Sequence, residues 1–168
     1  MMSERIHCIM SIDPGLTGAV AFYFPDIHNR DRISVYDMPV VENGVNPAAL
    51  RDLIKLHEPN VAVIERVGPM PRDGVAQAWR FSAAYATARV VTAMCNVPQE
   101  LITPAQWKKA MKLPGGKDNK DKSRGMAMRL FPANHIAFGR KKDASRAEAA
   151  LLAYHYANMK GLLNVAIL

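Results

Sequence analysis

Four carboxylates are the residues on which chemistry can turn: Asp13, Glu65, Asp143 and Glu148. Asp13 closes an apolar run, Ile6 to Ile12, and Pro14, Gly15 and Gly18 then turn the chain into a second one, Ala19 to Phe24. Glu65 closes Val61-Ala62-Val63-Ile64, the kind of short unbroken apolar segment found in strands buried on both faces. Glu148 lies near the start of the last helical stretch, with Asp143 in the basic loop before it. Each acid has a plain structural reading. Asp13 can cap its own turn, and Ser145-Arg146-Ala147-Glu148 fits a capping box. Together they allow more. If the two strands are neighbours, their terminal acids stand side by side, and a helix across the sheet can bring Glu148 and Asp143 to the same edge. Carboxylates so close repel one another and are tolerated with divalent cations between them; oxygen-only ligation suits Mg²⁺ or Mn²⁺. Two such ions, roughly 3.5–4 Å apart, support in-line displacement at phosphorus.

The charge distribution names the phosphodiester. The chain of 168 residues carries +7 overall, yet between Lys108 and Arg146 twelve Lys and Arg face three acids. The rest of the chain is slightly acidic. An excess confined to one stretch points to a polyanion, DNA or RNA. Candidate phosphate contacts are Lys108, Lys109, Lys117, Lys120, Lys122 and Arg124, with Arg72 and Arg80 as weaker ones. No Ser/His/Asp grouping or paired Cys/His spacing competes. His7, inside an apolar strand, reads as a core histidine, and Cys8 and Cys95 read as small buried hydrophobes in a reducing compartment.

The elements that must position these groups follow from pattern. Residues 6–13, 18–24 and 32–38 read as three consecutive strands with tight connections, an antiparallel meander. A loop over 39–46 leads to a helix from Pro47 capped by Asn46, then the strand ending at Glu65. A Pro/Gly-rich loop precedes a long alanine-rich helix, 75–94, whose Ala83, Ala84, Ala86 and Ala88 permit close approach of another helix or a partner subunit. A fifth strand over 99–102 runs into a helix opened by Thr103-Pro104. Helical pattern returns over 123–131 and from Ser145 to Gly161. No repeat or linker divides the chain, so 1–168 reads as one domain. No apolar run approaches the roughly 20 residues of a spanning helix, and the N-terminus lacks a signal-peptide pattern; no membrane association and a cytoplasmic location are expected.

In order along the chain, SIDPGLTG, AVIERVGPMPRDGVAQAWRFSAAYATA, LITPAQWKK and KKDASRAEAALLAYHY resemble successive blocks of the RuvC-type Holliday-junction resolvases, most closely their phage-borne relatives. The resemblance implies an α/β, RNase H-like fold, with a mixed five-stranded sheet and helices on both faces. It implies a homodimer that nicks branched DNA symmetrically with Mg²⁺, two ions per site and Mn²⁺ as substitute. Asp13 matches the first-strand aspartate, Glu65 the glutamate ending the fourth strand, and Glu148 the acid of the last helix, where bacterial members more often have aspartate. Bacterial members place a fourth acid three residues before the helix acid; here that residue is Ser145, and Asp143 is taken as its substitute. Where they carry an aromatic that wedges the junction, this chain has Gly68, leaving Met70 as a candidate.

Two other readings fit parts of the sequence. One is a non-catalytic branched-DNA-binding module of the same fold. The other is an ATP-using phosphotransferase of the actin and sugar-kinase fold, which also begins with an acid-bearing hairpin but needs two such domains.

Overall fold

A computed structural model describes residues 6–68, 74–114 and 119–163. Its centre is a five-stranded sheet in the order β3-β2-β1-β6-β7. Strands β1 (Ile9–Asp13), β2 (Ala19–Tyr23) and β3 (Ile33–Asp37) form the antiparallel meander; β6 (Val61–Glu65) lies parallel to β1, and β7 (Gln99–Ile102) parallel to β6. The β1–β2 turn depends on its glycines. Gly15 has φ +125°, and a Cβ on Gly18 would overlap the carbonyl oxygen of Asp13.

The expected loop over 39–46 contains a small hairpin, β4 (Val40–Val41) and β5 (Gly44–Val45). Glu42, at φ 52°, takes the left-handed conformation that its turn requires. Helix α1 (Pro47–His57) starts as the sequence implies: the Asn46 side chain accepts from Ala49 N, and Pro47 occupies the first turn. Helix α2 (Val75–Met94) buries Ala84, Ala88, Val91 and Thr92, while Ala83 and Ala86 stay exposed. Helix α3 (Pro104–Ala110) opens on the Thr103–Gln106 capping box.

Helix α4 (Asn119–Leu130) begins four residues earlier than the apolar pattern suggests, because its first turn is polar and its apolar side starts only afterwards. A 3₁₀ segment, Pro132–Phe138, follows, and a 3₁₀ turn, Lys141–Asp143, runs into α5 (Ala144–Met159). The helix therefore starts before Ser145, so Ser145 is not its cap and the expected Ser145–Glu148 capping box does not form. His7 is also misjudged by pattern: its side chain is 68% exposed, at the edge where β1 begins.

The side-chain alternation of the strands divides the core in two. Met10, Ile12, Val20, Phe22, Ala62 and Ile64 pack with α1 and α2 on one face. Ile9, Ala19, Ala21, Tyr23, Val61 and Val63 pack with α4 and α5 on the other. Helix α5 is lined with buried alanines, which bring its backbone close enough for Ser11 Oγ to donate to Ala149 O at 2.6 Å. That bond fixes the helix over the central strand.

Candidate active site

The alternation that sends Ile9 and Ser11 toward α5 sends Asp13 there too, and β6 repeats the pattern with Val61, Val63 and Glu65. Pairing Ile9 with Val61 and Ser11 with Val63 puts the two acids level at the strand ends. Helix α5 crosses that end of the sheet and supplies Glu148 from its second turn. The structure thus brings Asp13, Glu65 and Glu148 into one electrostatic unit. Burial pushes the Asp13 carboxyl well above its ordinary range, and the charges of Glu65 and Glu148 add to the shift. The nearby Ser145 hydroxyl partly opposes the shift. Glu65 is also raised, chiefly by burial, with Glu148 contributing.

Two residues that the sequence did not single out as partners of these acids hold the site's shape. Trp107, fully buried on α3, donates Nε1–H to Glu65 Oε1 at 2.8 Å. Ser123 of α4 donates to Glu148 Oε1 at 3.4 Å. Only Trp107 left a trace in the sequence, as a large aromatic fixed three residues after a Pro-opened cap.

Lys108 is turned inward. Its Nζ lies 3.1 Å from Glu148 Oε1 and 5.1 Å from the Trp107 ring centre. Asp143 stands in a different set of contacts. Its buried carboxylate accepts from Arg140 N at 2.8 Å and from the Arg140 guanidinium, and Arg146 Nη1 lies 3.7 Å away. These partners, Arg140 first, hold Asp143 below the usual carboxylate range.

Among the other expected phosphate contacts, Lys109, Lys120, Lys122 and Arg80 are exposed. Arg124 is not open: its side chain is 16% exposed, donating to Phe138 O, Gly139 O and Asp121. Arg72, Lys117 and Met70 lie outside the described residues. Because Lys108 and Ser123 both reach Glu148, the basic helices α3 and α4 flank the acidic site.

In kind, the donors fit a hard divalent cation: three carboxylates and a hydroxyl, all oxygen. In spacing they do not yet close around one. Among the described residues no group of three or more His, Cys, Asp or Glu side chains is near enough together to hold a metal ion. The positive charge at the site comes from Lys108. No helix among the described residues is long and apolar enough to cross a membrane.

No family model matches the sequence, and no curated protein does. Solved structures do match. RuvC of Thermus thermophilus in complex with a Holliday junction substrate superposes with a TM-score of 0.60 at 18% identity, covering 91% of this chain and 96% of the other. A second Thermus thermophilus RuvC structure gives 0.58 at 17% identity, with the same coverage. The yeast mitochondrial Holliday junction resolvase Ydc2 gives 0.52 at 14%, covering 92% of this chain and 81% of that one. From the β1–β2 hairpin to the last helix, the chain has the RNase H-like fold of the RuvC-type resolvases.

Proposed function

We propose that this protein is a structure-selective DNA endonuclease that nicks four-way junctions and other branched DNA by metal-assisted phosphodiester hydrolysis. The observation that carries the reading is the convergence of Asp13, Glu65 and Glu148 at the ends of two adjacent parallel strands, beneath basic helices. Bound Mg²⁺ ions would supply the Lewis acidity that makes a water nucleophilic and carries the charge of the leaving 3′-oxygen. Asp13, Glu65 and Glu148 would hold them. In this reading the fourth place expected at Asp143 falls to Ser145, whose hydroxyl lies near Asp13, while Asp143 anchors α5. Trp107 keeps the Glu65 carboxylate aimed, and Lys109, Lys120 and Lys122 contact the phosphates beside the site.

Symmetric cutting of a four-way junction needs two sites, and α2 offers the surface to join them. Val75, Trp79, Val90 and Met94 are 89, 77, 56 and 78% exposed. With Ala83 and Ala86 they fall at helical spacing along one uncovered apolar stripe. We assign that stripe to a second copy of the chain.

The test is a labelled four-way junction incubated with protein and Mg²⁺. Paired symmetric nicks are expected, lost in Asp13→Asn and Glu65→Gln while junction binding survives. Binding without nicking by the wild type would favour the non-catalytic module.

A further inference from the structure

We infer that Lys108 is the resident cation of the carboxylate site, holding Glu148 in the absence of metal and giving way when a divalent ion binds. This rests on the metal-dependent reading above.

The geometry points to it in three ways. Lys108 Nζ contacts Glu148 Oε1 at 3.1 Å from a side chain only 23% exposed, so this is an enclosed pair and not a surface ion pair. The same Oε1 already accepts from Ser123, so a metal bound there must take coordination now given to the lysine. The three acids are also close enough to repel, yet not close enough to grip an ion. The Lys108 ammonium supplies a counter-charge to this group through Glu148. Lys108 further opposes the upward shifts at Asp13 and Glu65, so its charge is felt at all three carboxylates.

A dication and an ammonium sharing one carboxylate oxygen repel strongly at low dielectric. Helix α3 is pinned by buried Trp107, so the exchange falls to the flexible four-carbon stem of Lys108. Neighbouring Lys109 is exposed, and a displaced Lys108 would join it at the mouth of the site. Metal binding would thus convert an internal counter-ion into a phosphate contact.

Calorimetric titration of DNA-free protein with Mn²⁺, with parallel thermal melts, tests this on wild type, Lys108→Met and Lys108→Arg. Methionine keeps the stem over Trp107 and removes the charge; arginine keeps the charge. Lys108→Met is expected to bind Mn²⁺ about tenfold more tightly than wild type, as loss of one close positive charge predicts. It should melt lower than wild type without metal and recover at saturating Mn²⁺, with Lys108→Arg following wild type in both measurements. If Lys108→Met binds Mn²⁺ no more tightly while Asp13→Asn still abolishes binding, the resident-cation role is wrong and the metal site stands. If wild type takes up no Mn²⁺ at millimolar concentration, the metal reading falls and this inference with it.

Discussion

Arg146 Nε and Nη2 sit 2.7 Å from the two carboxylate oxygens of Asp37, clamping the first turn of α5 to the end of β3. Ser145 is the adjacent residue and Glu148 is less than one turn further on, so this clamp sets how both approach Asp13. Arg146→Met should cost on the order of 1 kcal/mol of stability, the upper range for an exposed pair of good geometry. Nicking should fall more than tenfold, with junction binding little changed. Urea unfolding and single-turnover cleavage measure the two effects; equal losses of stability and activity would reduce the clamp to a structural role.

The same pair makes stability pH-dependent. Hydrogen bonds from Arg146 hold the Asp37 carboxyl below its ordinary value. A depressed folded-state pKa stabilises the fold above the unfolded value, about 4, and that contribution is lost as pH falls through the folded one. Wild type should therefore lose stability in this window faster than Asp37→Asn, which lacks the titrating group. Parallel slopes of unfolding free energy between pH 5 and 3 would contradict this.

Asp13 should be a stability liability. Ionising its carboxyl works against burial and against two neighbouring acids, so Asp13→Asn is expected to raise metal-free stability by about 1 kcal/mol, roughly 2–4 °C in Tm. The same substitution should end cleavage. A lower Tm for this variant would show that Asp13 is a turn cap before it is anything else.

Trp107→Phe retains most of the buried ring and deletes the bond to Glu65. Loss of a hydrogen bond to a charged acceptor costs about 1.5–3 kcal/mol. Cleavage should drop at least tenfold because Glu65 loses the partner that orients it. Full activity in a folded Trp107→Phe protein would remove Trp107 from the site.

Trp79→Glu places a charge in the exposed stripe of α2, far from the core. Sedimentation should show a dimer for wild type and a monomer for the variant, with unchanged thermal stability of the single chain. Nicks by the variant should then be single and unpaired.

The sheet was legible because its central strands are short, apolar and punctuated. Asp13 and Glu65 stood out because each interrupts such a run, and the parallel pairing of β1 with β6 made them neighbours. Polar segments were harder. The first turn of α4 and the hairpin at Val40–Val45 lack the periodicity that burial imposes. The Trp107 bond to Glu65 and the Ser123 bond to Glu148 join residues far apart in sequence, and no local pattern encodes such partners. The inward contacts of Lys108 and Arg124 were hidden for a related reason: a basic residue in a basic stretch reads as solvent-facing until a buried acid or carbonyl claims it.

The two strand acids share a face only because each sits an even number of residues from the inward-facing members of its strand. Deleting or inserting one residue within β1 or β6 would carry Asp13 or Glu65 through the sheet to the side of α1 and α2. Length changes there should therefore be far more damaging than conservative exchanges of the same apolar residues.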